Sequence, residues 1–311
     1  MPKTDVGGQA VIEGVMMRSK NDIVTAVRKK GKIIYKEEKL KQKPKWMGFF
    51  FIRGIVNLID MLVIGIKTLN WSASQAGEED EELSSTAIWI TLLIAFAFSI
   101  GLFMALPYAL TYLLGVRETE SPVWFNIIDG IIKAAILVAY VYLISLMKDI
   151  RAVFQYHGAE HKAVFCYEAG KELTIKNAKV YSTKHPRCGT AFLMIVIIIS
   201  IFLFSFIPIL INTAYPLFES LPWLIRRITL FGTRLLLLPV VAGISYEALK
   251  FGAKHQGNPL FRALTLPGLW LQNITTKEPT EKQLEVGIAA LKKVTENGNM
   301  SKTPLTKAER G

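Results

Sequence analysis

The amino-acid sequence predicts an α-helical integral membrane protein with four spans and a small cytoplasmic α/β cap. Three observations lead there. Hydrophobic residues make up 51% of the 311 and the mean hydropathy is positive, a composition that points to a membrane protein rather than to two soluble domains. No charged residue occurs between Glu82 and Arg117 or between Arg187 and Glu219, and each interval exceeds the roughly 20 residues that cross a bilayer. The formal charge of +12 is unevenly distributed. Thirteen Lys and Arg lie between Lys3 and Arg53, eight between Lys148 and Arg187 and ten from Lys250 onward, whereas the connecting loops on the other side hold Arg117, Arg226 and Arg227. This asymmetry is the positive-inside pattern, and it places both termini and the 148–187 loop on the cytoplasmic side of the membrane. A nucleic-acid surface would interleave basic residues with stacking aromatics, and the sequence has no such face.

Residues 1–45 read as a cytoplasmic β segment. Gly7 to Arg18 is a glycine-punctuated apolar run whose polar members are Gln9, Glu13 and Arg18, either a strand with glycine bends or a segment that folds Glu13 or Gln9 back onto a site elsewhere. Ile23–Val27 and Ile33–Tyr35 flank Arg28-Lys29-Lys30-Gly31-Lys32, a hairpin signal that needs further strands to be stable in water. Residues 46–86 hold an interfacial helix and an acidic linker. Arg53, Asn57, Asp60 and Lys67 fall on one face of the helix, and Glu78 to Glu82 is a solvated acidic run. If this helix crossed the bilayer, the basic 148–187 loop would be forced outside, so an interfacial or re-entrant placement is expected.

Residues 87–147 supply spans one (Ala87–Leu114) and two (Val123–Met147). The second carries Asp129 and Lys133 at i and i+4, a pair that either neutralises itself or relays protons. Residues 191–247 supply spans three (Ala191–Ile211) and four (Ile228–Tyr246), with Arg234 placed to face Asp129 across the bundle. Residues 248–311 are cytoplasmic helices followed by a polar tail from Asn297. The segment Leu260–Ile274 reads as interfacial, and Thr280-Glu-Lys-Gln opens a helix with Leu284, Ile288 and Leu291 on one face. Cys166 and Cys188 are the two cysteines, and a reducing compartment argues against a disulfide between them.

The chemistry concentrates in the cytoplasmic loop 148–190. Tyr156-His157-Gly158-Ala159-Glu160-His161-Lys162 contains two of the four histidines at i and i+4, a spacing that stacks both imidazoles on one helical face and suits a divalent cation such as zinc. As letters it is H-x-x-E-H, the reversed zincin pattern. Val164–Tyr167 and Leu173–Ile175 read as short strands, and His185-Pro186-Arg187-Cys188-Gly189-Thr190 adds a third imidazole and a thiol. A catalytic metal needs a third protein ligand and an open position. Glu247, at the inner end of span four, is one candidate, and His185 or Cys188 are the others. With a distant carboxylate the set is hydrolytic, whereas His185 and Cys188 together would close it as a structural site. Glu160 is the expected general base, for a carboxylate beside the metal is tuned by burial. The competing reading leaves the histidines bonded to headgroups or backbone, and Glu160 and Lys162 as interfacial charges.

Gly-Gly-Gln-Ala-Val-Ile-Glu-Gly-Val-Met-Met-Arg (7–18), Tyr-His-Gly-Ala-Glu-His-Lys (156–162), His-Pro-Arg-Cys-Gly-Thr (185–190), Gly-Ile-Ser-Tyr-Glu (243–247) and Pro-Gly-Leu-Trp-Leu-Gln-Asn-Ile-Thr-Thr-Lys-Glu-Pro (267–279) occur in that order. Together they resemble the YqhQ-like family of bacterial multi-pass membrane proteins, over nearly the whole chain up to about Val294. That family is a domain of unknown function sometimes labelled a predicted metal-dependent enzyme. The resemblance implies the architecture and marks His157, Glu160, His161, His185, Cys188 and Glu247 as positions to test, while carrying no established reaction. Two functions are therefore expected. The first is a metal-dependent hydrolase acting where the cap meets spans two and four. The second is a non-enzymatic accessory, for instance of insertion or secretion machinery, whose basic cap docks anionic lipid or a membrane protein complex. Transport is disfavoured, because four spans with one ionisable pair leave little polar pathway.

Overall fold

The computed structural model describes residues 6–40, 43–50, 52–77, 85–118, 120–255 and 258–300. The acidic run Glu78–Glu82 and the tail beyond Met300 lie outside them. Four short strands follow one another as an antiparallel meander, β1 (Gly7–Val11), β2 (Gly14–Arg18), β3 (Asp22–Lys29) and β4 (Lys32–Lys39). The β3–β4 connection is Lys30-Gly31, both with positive φ, the backbone of a two-residue hairpin turn whose twist matches the strands it joins. The expected hairpin is present and pairs Val27 with Ile34. The first turn places Glu13 at φ 52.

Period-two alternation gives this sheet two apolar faces. Val15, Met17, Val24 and Ala26 pack against helices from later in the chain. Val11, Met16, Ile23 and Val27 pack against Met61, Ile64 and Trp71 of α1 (Ile52–Ala76). The polar stripe of α1 is therefore engaged rather than bare: Asp60 pairs with Arg18 and Lys43, Asn57 donates to the Tyr246 hydroxyl at 3.0 Å, and Arg53 pairs with Glu247.

Four helical stretches are long and apolar enough to cross a membrane among the described residues: Trp89–Leu113, Pro122–Ser145, Gly189–Ala214 and Trp223–Gly252. The first is α2 (Ser85–Ile100) continued through a π-helical turn, Gly101–Ala105, into α3 (Leu106–Leu113). The second is α4 (Pro122–Ser145). The third joins α7 (Gly189–Ser205) to α8 (Ile207–Ala214), and the fourth belongs to α9 (Trp223–Lys254). Most of their large side chains face outward, Leu93, Phe96, Phe202 and Leu236 among them. Outward apolar side chains on helices of this length are what a membrane protein presents to lipid.

Between the second and third stretches lie α5 (Lys148–Glu168) and α6 (Ile175–Lys179). After the fourth come α10 (Pro259–Thr275) and α11 (Glu281–Met300). The strand-like reading of Val164–Tyr167 is corrected here, because these residues are the last turns of α5. Ala159, Ala163 and Cys166 are all fully buried, and their spacing of four and three residues is helical, which overrides the β-branched and aromatic letters around them. Leu173 is coil and Ile175 opens α6, with the Thr174 side chain capping it. The expected capping box also forms: Gln283 N–H donates to Thr280 Oγ1 while Gln283 Oε1 accepts from Thr280 N–H. Leu284, Ile288 and Leu291 of α11 join the same core as α5 and the sheet.

Candidate metal centre

The i, i+4 spacing puts His157 and His161 side by side on α5, with ring centroids 4.5 Å apart. What fixes each ring is a backbone carbonyl. His157 Nδ1 lies 2.9 Å from the carbonyl of Thr275, and His161 Nδ1 meets the carbonyl of Thr183. A carbonyl can only accept, so each Nδ1 carries a proton, and in the neutral tautomer that this selects, each Nε2 is the atom left with a lone pair. His157 Nε2 stands 3.2 Å from Cys188 Sγ. One ligand atom from each of His157, His161 and Cys188 lies within 4.8 Å of the other two.

Two close packings bring the carbonyl and the thiol to this place. At Gly158 a Cβ would stand 2.1 Å from the carbonyl of Lys277, so glycine lets the segment after α10 run against α5. Lys277 N–H then donates to Phe154 at 2.9 Å, which sets the neighbouring Thr275 carbonyl over His157. At Gly268 a Cβ would stand 2.4 Å from Ala191 Cα, so α10 also lies directly on α7. Gln272 of α10, fully buried, grips the backbone of His185, accepting its N–H at 2.8 Å and donating to its carbonyl at 3.0 Å. That grip holds the loop ending at Cys188, the N-cap of α7, whose sulfur accepts from Thr190 N–H at 3.4 Å. The positive end of the helix complements the charge that a metal-bound thiolate carries.

His185 stands beside the group without joining it. Its Nδ1 accepts from Arg187 N–H at 3.2 Å and its Nε2 faces Glu168 at 3.4 Å, while its ring packs on Phe165 and His161. Burial lowers its pKa below the usual histidine value, with the charge of Glu160 opposing. A neutral ring agrees with an Nδ1 that accepts. The closed set containing both His185 and Cys188 is thus not assembled.

Glu247 is placed elsewhere, its carboxylate held by Arg53 Nε at 2.6 Å and by Arg53 Nη2. This bond raises the Arg53 pKa. Sharing an inner depth with His157 did not bring it to the histidines, because a partner 194 positions away in the chain claimed it first.

Glu160 is 6% exposed and its Oε2 lies 3.4 Å from His161 Nε2. Strand β1 closes over it, a Cβ on Gly8 falling 3.0 Å from Glu160 Cγ. The N-terminal run does fold back onto this region through Glu13, which accepts from the Tyr156 hydroxyl at 3.1 Å. Burial first and that carboxylate second raise the Tyr156 pKa. Gln9 goes to α1 instead, donating to Thr68 and to the Gly65 carbonyl. Lys162 is a buried clamp rather than an interfacial charge: its Nζ donates to the carbonyls of Lys179 and Tyr181 and pairs with Glu278 at 2.7 Å. Asp129 and Lys133 pair with each other in α4, and Arg234 lies 3.7 Å from Asp129, the facing that the sequence suggested.

The donor set fits a borderline-soft divalent cation. Two imidazoles and a thiolate are zinc ligands, and bonds of about 2.0–2.3 Å call for donor atoms about 3.5 Å apart, so the group closes with roughly 1 Å of side-chain movement. Backbone carbonyls behind both histidines are the outer-shell arrangement that metal-binding imidazoles use. Sequence reasoning missed Thr183 and Thr275, because a backbone oxygen leaves no signature in the letters. It also missed Gln272.

A family profile described as "Protein of unknown function (DUF1385)" matches residues 49–297. The uncharacterized protein YqhQ of Bacillus subtilis (strain 168) is 35% identical over 301 residues, covering 91% of this chain and 89% of that protein. No solved structure matches. The chain belongs to the DUF1385, YqhQ-like family.

Proposed function

We propose that this member of a family without an assigned reaction is a zinc-dependent hydrolase at the cytoplasmic face of the bacterial inner membrane. The observation that carries the reading is the convergence of His157, His161 and Cys188 with both Nδ1 atoms committed to backbone carbonyls. Lone pairs brought that close repel unless a proton or a cation lies between them. A divalent ion in that position supplies Lewis acidity, polarising an oxygen that would otherwise be a poor nucleophile or electrophile.

The protein's own groups do the rest. His157, His161 and Cys188 would hold the ion, and Glu160 stands beside them with its Oε2 3.4 Å from His161 Nε2. There its carboxylate can take a proton from an attacking water and return it to a leaving group. β1 and α5 keep bulk water away from that carboxylate, which strengthens its interaction with a nearby positive charge. Membrane placement is supported by the four apolar helices. An even number of crossings puts both ends of the chain on one side, and the crowding of Lys and Arg there makes that side the cytoplasm.

Burial of two of the three donors, His161 at 2% and Cys188 at 8% exposure, with His157 half-buried, favours a second reading in which the metal only ties α5 to α7 and the protein is a membrane scaffold. Elemental analysis of the purified chain decides the shared premise. About one zinc per chain is expected, falling to near zero in the His157→Ala, His161→Ala double variant, and stoichiometric zinc in that variant removes both readings. Glu160→Gln separates them: a hydrolase keeps its zinc and loses turnover of ester, phosphoester or peptide probes. A chain that binds zinc yet turns over none of these probes is the scaffold.

A further inference from the structure

The opposite end of the helical bundle holds a charged network with nothing in common with the histidine group. Glu118 is fully buried. Its Oε1 accepts from Arg234 Nη2 at 2.8 Å and its Oε2 from the Tyr108 hydroxyl at 3.0 Å. Arg234 also donates to Asn126 at 2.9 Å and faces Asp129, which is paired with Lys133. The Tyr108 oxygen in turn accepts from Arg227 Nη1 at 2.8 Å. The network therefore joins three cations, Lys133, Arg234 and Arg227, to two carboxylates, Asp129 and Glu118.

One positive charge is left over, and it sits on Arg227. Both oxygens of Glu118 are already taken, and Arg227 pairs with no carboxylate among the described residues. Its guanidinium instead lies 4.6 Å from the Tyr112 ring centroid, and Arg117 lies 3.8 Å from the same ring. Arg117 Nη1 is buried without a hydrogen-bond partner. Two under-compensated guanidinium groups are thus gathered around Tyr112, at an end of the bundle where the positive-inside bias works against basic residues.

Arg227 lines a surface cavity of about 370 Å³ whose other walls are Ala105, Tyr108, Ile228, Phe231 and Gly232. Exposed Trp124 and Trp223 start α4 and α9 at this end, the level at which tryptophans mark a bilayer interface. Arg227 follows Trp223 by about one helical turn, some 6 Å. That depth is where glycerophosphate groups meet acyl chains.

We propose that this cavity between α3 and α9 binds the headgroup phosphate of an anionic phospholipid, with Arg227 as the principal contact and Arg117 beside it. The planar fork of Arg227 matches two phosphate oxygens, and Ile228, Phe231 and Ala105 line the path of an acyl chain. The inference rests on the four helices crossing a bilayer and is independent of the metal.

Native mass spectrometry of the full chain in detergent, with phosphatidylglycerol or phosphatidylcholine added, tests it. Phosphatidylglycerol is expected to remain bound at least about ten-fold more strongly than phosphatidylcholine. Losing one charge-assisted contact in Arg227→Gln should remove about ten-fold or more of that affinity, while the exposed control Lys292→Gln changes nothing. Should Arg227→Gln fold poorly, Arg227→Lys keeps the charge and loses the fork, and an intermediate affinity is expected.

Equal retention of both lipids, or retention unaffected by either Arg227 variant, overturns the proposal. Displacement of the lipid by millimolar inorganic phosphate assigns the site to a free anion and overturns the lipid assignment. Release of the chain from membranes by carbonate washing refutes the spanning reading itself, a failure distinct from the other two.

Discussion

The two ends of the helical bundle solve the problem of buried polar groups in opposite ways. At the far end, charge is matched against charge: Arg234, Glu118 and Asp129 are each buried to 2% exposure or less, and each has an ionic partner inside the protein. At the cap end, His157, His161 and Cys188 turn lone pairs toward one another, with their outer atoms held by carbonyls and a helix terminus. In the matched network Arg234, Glu118 and Asp129 each already have an opposite charge beside them. Converging ring nitrogens and a thiol can share a proton or a cation between them, and that difference separates a brace from a candidate binding site.

The sharpest way to break the comparison is to remove one member of the matched network. Arg234→Met leaves Glu118 buried and uncompensated, which should cost about 3–5 kcal/mol and lower the unfolding midpoint in detergent while zinc content in the surviving folded fraction stays the same. Next in size is metal removal. At free zinc about 100-fold above the dissociation constant, the bound ion stabilises by about 2.7 kcal/mol, so a chelator should lower the midpoint of the native chain and leave that of the His157→Ala, His161→Ala variant unmoved. Gly158→Ala should cost about 1–3 kcal/mol through overpacking against the Lys277 carbonyl, and it should also weaken zinc retention because the Thr275 carbonyl moves with that segment. The smallest effect is expected for Tyr156→Phe. Losing the hydroxyl bond to Glu13 costs about 1 kcal/mol with zinc content unaltered, which would show that the cap and the centre share a helix without sharing energetics.

Much of this was legible in the letters. The four apolar stretches followed from charge-free runs, and the β3–β4 hairpin from a glycine turn between β-branched segments. The placement of His157 and His161 on one face followed from four-residue spacing, and Cys188 was already a candidate third donor. The failures have physical causes. Val164–Tyr167 looked extended because Val, Phe and Tyr favour strands, although Ala159, Ala163 and Cys166 already repeated at helical spacing. Glu247 was a candidate on depth alone, and depth is one coordinate of three. No packing role for Gly158 was legible in the letters of its motif; its role is to admit a second backbone to within hydrogen-bonding distance, a requirement set by residues more than a hundred positions downstream.

The sheet at the very start of the chain is covered on one side by α5 and α11, and α11 is the last helix described. Leu284, Val286 and Leu291 therefore leave the ribosome long after the strands they cover. Until they do, Val15, Met17, Val24 and Ala26 lack most of their hydrophobic cover, and the Thr275 carbonyl is not yet in place against His157. During synthesis the four apolar helices can settle early while the N-terminal strands wait for the final helix, so the histidine group is among the last parts of the molecule to mature.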